Sequence, residues 1–151
     1  ADFMQYSAKA PINLISMWAL IEHVRDPKAY LEKAYSLLEK EGWIALATPN
    51  IQSFSAKLKG AKWRYYIPPF HITYGNPESL TKLLNSAGFE VKKTVTHFRP
   101  IAFFSNGSRS LKLYQKNKLF RVAIKVALSP LKLFSERFHW GETIEIYAQK
   151  K

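Results

Sequence analysis

The sequence predicts an α/β domain whose sheet begins with a parallel strand–helix–strand unit. Two apolar runs of strand length, residues 13–18 and residues 43–48, flank a segment whose apolar residues recur at helical spacing. Such a unit places both strands side by side in the same direction, with the helix as a right-handed crossover. Because no internal repeat or low-complexity linker interrupts the 151 residues, we expect one domain over residues 1–151.

The first strand and its helix carry clear boundary signals. Residues 13–18 are mostly apolar and do not alternate with polar residues, which is typical of a buried parallel strand. Asp26 is a good N-cap and Pro27 a good first helical residue. We expect Gly42 to end this helix in the left-handed conformation, just before the second strand at residues 43–48.

Two short segments follow the second strand. Residues 51–59 have the spacing of a short helix. Residues 60–74, which we call the aromatic loop, contain two consecutive prolines and one histidine. Its rings belong to Trp63, Tyr65, Tyr66, Phe70 and Tyr74. A loop this aromatic must either cover apolar surface or bind a ligand.

The next helix and two further strands complete the predicted sheet. Asn76 and Pro77 repeat the cap-plus-proline signal, and Gly88 closes the helix. Residues 89–98 then read as a strand, and residues 100–107 as a turn. After Gly141, residues 143–148 alternate between polar and apolar side chains, which predicts the final strand.

A basic segment, residues 108–138, lies between the last two strands and is predicted as a helical insertion that is kinked or split at Pro130. The formal net charge of the chain is +12, which favours anionic partners. Interleaved apolar and cationic residues suit an anionic membrane surface or a lipid-like substrate. The alternative is an ordinary solvated cationic face. No recognised nucleic-acid motif is present, so we do not expect nucleic acid as a partner.

Composition excludes several classes of protein. A hydrophobic content of 47% and an aromatic content of 15% argue against disorder. The absence of cysteine excludes disulfides and cysteine-based zinc sites, and it fits a reducing compartment. No apolar run is long enough to span a bilayer and no signal-peptide pattern is present, so we expect a cytoplasmic location, with peripheral membrane contact as an addition.

An ordered set of short motifs resembles the class I S-adenosylmethionine-dependent methyltransferases, in particular their ubiquinone-biosynthesis O-methyltransferase branch. The motifs are IEHV at 21–24, DP at 26–27, TPN at 48–50, HITY at 71–74 and AGFEV at 87–91. The resemblance implies a partial Rossmann-like methyltransferase sheet with strand order 4-5-7-6, the last strand antiparallel, and helices on both faces. It also implies S-adenosylmethionine as cofactor and methyl transfer to a small or lipid-like acceptor.

The chain departs from that family in lacking its glycine-rich loop, because the six glycines are scattered. The sequence therefore resembles the C-terminal half of a methyltransferase, and we expect this chain alone to bind the cofactor weakly and to be inactive. The strand at residues 13–18 becomes a sheet edge, which pairs with a second copy, is covered by the chain's own helices, or belongs to a longer protein. The rival hypothesis is a non-catalytic basic module that binds anionic membranes or acidic partners.

The resemblance also implies four cofactor-binding residues. Asp2 and Phe3 match the family's acidic-apolar pair beside the adenine, although a frayed terminus is the alternative. Met17 and Trp18 match the cofactor-pocket wall after the family's fourth strand, with simple core packing as the alternative.

His23 is the first candidate catalytic residue, because a neutral imidazole near a substrate hydroxyl can act as a general base. In the quinone-biosynthesis branch, two acidic residues and this histidine hold a divalent metal. Here the first acidic position is Ala19, which leaves Glu22 and one imidazole. That pair is a poor cage for magnesium, so we expect no metal. The alternative role of His23 is to brace the turn before the helix.

His71, in the aromatic loop, is the second candidate catalytic residue. It is expected to face the acceptor, with Trp63, Tyr65 and Tyr66 as substrate-binding walls. Such an apolar wall suits methyl transfer, which depends mainly on positioning, desolvation and removal of the acceptor proton. The alternative is a lid that packs on the sheet without touching substrate.

Overall fold

A four-stranded mixed sheet forms the centre of the computed structural model, which describes residues 2–104 and 108–151. The strands stand in the order β1-β2-β4-β3. They are β1 (Ile12–Trp18), β2 (Leu38–Pro49), β3 (Phe89–His97) and β4 (Thr143–Lys150). β1 and β2 are parallel, whereas β4 runs antiparallel to both of its neighbours. The predicted fold class, strand order and antiparallel last strand are confirmed.

Among the described residues, six α-helices connect these strands: α1 (Pro27–Leu37), α2 (Phe54–Lys59), α3 (Pro77–Ser86), α4 (Arg109–Lys116), α5 (Lys118–Ala127) and α6 (Ser129–Arg137). The predicted caps are confirmed, because the Asp26 side chain accepts from the Ala29 amide at 3.0 Å and Asn76 accepts from the Ser79 amide at 2.8 Å. Residues 100–103 form a short 3-10 turn, but part of the turn predicted over 100–107 lies outside the described residues.

The predicted role of Gly42 is wrong. Helix α1 ends at Leu37, β2 begins at the next residue, and Glu41 rather than Gly42 takes the positive φ of 62°. Gly42 lies inside β2 at a close approach of two strands. A Cβ atom there would stand 3.0 Å from the Glu39 carbonyl oxygen and 3.2 Å from that of Ile12. The glycine is needed for space, not for its freedom in φ.

The basic segment divides into three helices, with one break just before Pro130 and a second break at Asn117 that the sequence pattern does not predict. Asn117 separates α4 from α5 and caps α5, since its side chain accepts from the Phe120 amide at 2.9 Å. Pro130 lies in the first turn of α6, where its missing N–H has no helical partner to lose, so it starts a helix instead of bending one. Across residues 2–104 and 108–151, no helix combines the length and apolar character needed to cross a membrane.

The core lies on one face of the sheet, where α1 and α3 cover the fully buried side chains of Ile144, Ile146 and Ala148 on β4. Strand β1, which bonds β2, is not the buried strand that its composition predicts. Only Met17 is buried there, and Trp18 is 52% exposed. β1 is an edge strand bonded to β2 alone among the described strands, so its outward face has little to pack against. Pairing of this edge with a second copy stays a prediction.

Candidate active site

A cavity of about 550 Å³ opens at the carboxyl ends of the parallel strands β1 and β2. This is the edge at which open α/β sheets bind their ligands. Strand β4 and the aromatic loop complete its walls. The lining residues are Trp18, Ala19, Glu22, Ala47, Thr48, Pro49, Arg64, Tyr65, Ile67, His71, Arg99, Thr143 and Glu145.

The turn after β1 sets the geometry of the cavity floor. Ala19 has a positive φ of 48°, and its amide donates to the Ala47 carbonyl at 2.9 Å, which holds the turn against the end of β2. A short 3-10 turn, Ile21–His23, follows. It buries Glu22, whose carboxylate accepts from the Thr48 hydroxyl at 3.0 Å. A buried carboxylate is thereby fixed at the cavity wall.

The aromatic loop is fastened to this turn by backbone hydrogen bonds. The amides of Ile72 and Thr73 both donate to the Glu22 carbonyl, at 2.9 and 3.1 Å. The Thr73 hydroxyl donates to the Val24 carbonyl at 3.2 Å. The loop therefore does not lie free over the sheet, because its second half is anchored beside the first catalytic candidate.

The two candidate catalytic histidines lie next to each other. The rings of His23 and His71 meet edge to face with centroids 4.7 Å apart. Nδ1 of His23 lies 2.7 Å from the Phe70 carbonyl oxygen, and Nδ1 of His71 lies 2.8 Å from that of Tyr65. A carbonyl only accepts, so each Nδ1 carries the proton and each Nε2 keeps its lone pair. Both rings are thus in the tautomer that a base or a metal ligand needs.

The predicted aromatic wall is only partly assembled at the cavity. Tyr65 lines it, and burial raises the pKa of this phenol, while Arg64 and Arg99 oppose the rise. Trp63 is buried behind Tyr65, with ring centroids 5.3 Å apart, and Tyr66 is half exposed away from the cavity. Trp63 therefore supports the wall instead of forming it.

The predicted cofactor residues occupy three different environments. Trp18 lines the cavity, but Met17 is 2% exposed and belongs to the core, on the opposite face of β1. Phe3 stacks on Tyr30 with centroids 5.7 Å apart. Asp2 is exposed and accepts from the Met4 amide at 3.0 Å. Of these four predicted residues, Trp18 alone lies among the cavity-lining residues.

Sequence reasoning missed Arg64, Arg99 and Glu145, which also line the cavity. Glu145 alternates with the buried Ile144 and Ile146 on β4, so its polar side chain faces the other side of the sheet. The alternation was a usable signal for Glu145. The two arginines reach the cavity from segments far apart in the chain, and no local pattern identifies them.

Two buried polar residues hold the ends of β2 and β4 together beside the cavity. The Asn50 amide nitrogen donates to the carbonyls of His139 and Gly141, both at 2.9 Å, and its oxygen accepts from the Gln52 amide at 3.0 Å. Glu142 is fully buried and accepts from the Ser55 hydroxyl at 2.5 Å. Burial raises the pKa of the Glu142 carboxyl, against the opposing effect of its hydroxyl and indole neighbours.

Comparison with known proteins points to one family. A family described as a methyltransferase domain matches residues 2–94, which is more than half of the chain. A probable S-adenosylmethionine-dependent methyltransferase of Mycolicibacterium smegmatis is 30% identical over 89 residues, covering 59% of this chain. The match covers 33% of that relative, so the chain spans about a third of the curated relative's length.

Solved structures of low sequence identity share the fold. A possible histamine N-methyltransferase of Thermotoga maritima aligns with a TM-score of 0.65 at 18% identity, covering 100% of this chain and 62% of its own. An S-adenosylmethionine-dependent methyltransferase of Archaeoglobus fulgidus aligns with a TM-score of 0.58 at 21% identity, covering 99% and 66%. Magnesium protoporphyrin IX methyltransferase of Synechocystis, solved with bound S-adenosylhomocysteine, aligns with a TM-score of 0.54 at 12% identity. This alignment covers 100% of this chain and 49% of the Synechocystis chain.

Proposed function

This chain belongs to the class I S-adenosylmethionine-dependent methyltransferases, and we propose that its cavity takes part in methyl transfer from that cofactor to a small or lipid-like acceptor. S-adenosylmethionine is the cofactor of the family. The observation that carries the proposal is the cavity of about 550 Å³ at the carboxyl ends of β1 and β2, with His71 in its wall. The comparisons give no support to a non-catalytic membrane module.

The side chains at the cavity suit the chemical needs of methyl transfer. The sulfonium supplies the activated methyl group, so the protein has to position the two substrates, exclude water and accept the acceptor's proton. Trp18 and Tyr65 provide apolar walls for the first two tasks. The Nε2 lone pair of His71, supported by the neighbouring His23, provides the base for the third.

We further propose that residues 1–151 alone bind the cofactor weakly. Glycines let a backbone approach a ligand closely, and the sequence has no glycine-rich loop of the family's type. The ends of β1 and β2 form one wall of the cofactor site. Among the described residues, no glycine-rich loop is present to close around the methionine part of the cofactor.

Nuclear magnetic resonance titration of residues 1–151 with S-adenosylhomocysteine tests both statements. We expect shift changes at the Trp18 indole and the Ala19 and Thr48 amides, with an affinity in the millimolar range. Trp18→Ala removes the cavity-lining indole and should abolish the changes, whereas the matched variant Trp43→Ala removes an exposed indole elsewhere on the sheet and should leave them unchanged.

Each outcome of this titration decides one statement. Micromolar affinity at the same residues contradicts the weak-binding statement and supports the site. The absence of shift changes at millimolar ligand, or changes confined to other residues, overturns the cavity as the cofactor site.

We propose a lipid-like acceptor and peripheral membrane contact from the surface of α5. Leu119 is 81% and Val126 66% exposed, and Val122 lies between them on the same face. Lys118 and Lys125 flank this apolar stripe. A helix with this distribution suits the interface of an anionic bilayer, the environment in which a lipid-like acceptor is found.

A further inference from the structure

Three potential metal ligands converge at the wall of the cavity. Glu22, His23 and His71 each offer a ligand atom, and these atoms all lie within 4.8 Å of one another. Ligand atoms around a tetrahedral zinc ion lie about 3.4 Å apart, given bonds of about 2.0–2.1 Å. The three ligand atoms therefore have to approach one another by about 1.4 Å at most to reach that spacing.

The surroundings of these ligands resemble those of established metal sites. A metal-bound histidine usually donates its second ring N–H to a carboxylate or a backbone carbonyl, which fixes the tautomer. Here His23 bonds the Phe70 carbonyl and His71 bonds the Tyr65 carbonyl. The carboxylate of Glu22 is oriented by the Thr48 hydroxyl. Each ligand thus has an outer partner, as a metal centre requires.

The donor set decides the type of ion. The family resemblance implies a hard cation held by two carboxylates and one histidine, but Ala19 stands at the first carboxylate position. Magnesium prefers an octahedron of oxygen atoms, so two imidazoles and one carboxylate do not fit it. Two histidines and a glutamate do form catalytic zinc sites and bind other divalent transition metals.

We propose that Glu22, His23 and His71 bind a divalent transition-metal ion, with His71 taking the place of the missing carboxylate. Glu22 and His71 both line the cavity, so the fourth coordination position faces the space proposed for the acceptor. The ion would lower the pKa of an acceptor hydroxyl bound there. It would then replace the imidazole bases, since a metal-bound Nε2 accepts no proton.

Metal binding is measured on residues 1–151 without cofactor or acceptor, so its result does not depend on the proposed function. Calorimetric titration with zinc chloride should show one equivalent bound, and titration with magnesium chloride should show none. Cobalt chloride should give the intense visible absorption of a tetrahedral site. A titration in which no metal binds contradicts the metal site but not the role of the two histidines as bases. A failed cofactor titration contradicts the proposed function but not the metal site.

The variants are chosen to keep the local hydrogen bonds. His71→Asn and His23→Asn retain a side-chain N–H for the Tyr65 and Phe70 carbonyls but remove Nε2, and Glu22→Gln retains an acceptor for Thr48. Each should weaken zinc binding by more than the roughly 10–100-fold that loss of an outer partner costs. His139→Asn is the matched control, because it removes an exposed imidazole at a positive φ that asparagine tolerates.

The absence of zinc binding to wild type overturns the proposal, and so do two further results. One is a zinc affinity of wild type that equals that of His71→Asn. The other is an equal loss of affinity in His139→Asn, which would mean that zinc binds surface imidazoles without a built site. Circular dichroism of each variant verifies that the sheet is intact before its affinity is compared.

Discussion

Replacement of Asn50 by alanine should strongly destabilise the protein, because this side chain joins the end of β2 to the segment that leads into β4. Asn50 is fully buried and makes three hydrogen bonds, two to carbonyls and one from an amide. A buried hydrogen bond contributes about 1 kcal/mol net, so three contribute about 3 kcal/mol. With an m-value of about 1–3 kcal/mol/M, the urea midpoint should fall by about 1–3 M.

Urea unfolding followed by circular dichroism measures this change, and amide hydrogen exchange locates it. The Gln52 amide donates to the Asn50 side chain and should lose its protection in Asn50→Ala. The exposed Asn85 on α3 provides the control, since Asn85→Ala should change the free energy of unfolding by no more than about 0.5 kcal/mol. A loss below about 1 kcal/mol in Asn50→Ala, or an unchanged exchange rate at Gln52, would refute the reasoning.

The remaining predictions concern Glu142 and the surface of α5. Burial raises the folded-state pKa of the Glu142 carboxyl, so its contribution to stability is present at low pH and is lost as the pH rises through that pKa. Glutamine does not ionise, so the stability of Glu142→Gln relative to wild type should increase between about pH 4 and pH 7, as measured by urea unfolding. The hydrogen bond from Lys92 lowers the pKa of Glu90, so the stability of Glu90→Gln relative to wild type should instead decrease as the pH rises. If both variants change in the same direction with pH, the raised pKa of Glu142 is contradicted. The wild-type protein should sediment with phosphatidylserine-containing vesicles and should be released from them by salt. The double variant Leu119→Glu/Val126→Glu should not sediment with these vesicles, because it loses the apolar stripe of α5. Leu58→Glu changes an exposed apolar residue elsewhere and should sediment as the wild type does. Binding to neutral vesicles that survives high salt would contradict an electrostatic contribution.

The elements that sequence predicts well are those whose signals are local. The caps at Asp26 and Asn76 and the closure of α3 by Gly88 each depend on a few neighbouring residues, and all three are confirmed. The prediction for Gly42 is wrong because the reason for a glycine at this position is not local. The close approach of the Ile12 carbonyl on another strand, not the end of a helix, makes this position tight for a side chain.

The candidate site shows the same limit at the level of single side chains. Met17 and Trp18 are adjacent on β1, and adjacent residues of a strand point to opposite faces, so only one of them can line the cavity. The structure places Trp18 there and Met17 in the core. The neighbouring positions of His23 and His71 depend on how the aromatic loop folds back onto the turn after β1, where Phe70, 47 residues after His23, bonds the His23 ring, and periodicity does not reveal this.

The central position of β4 has a consequence for synthesis on the ribosome. β2 and β3 do not bond each other, because β4 lies between them. Residues 143–150 leave the ribosome about 94 residues after β2 is complete, a delay on the order of 5 to 20 s at usual translation rates. Throughout that interval the β2 edge of the nascent chain has no β4 partner, and an unpaired strand edge of this kind is prone to pair with other chains.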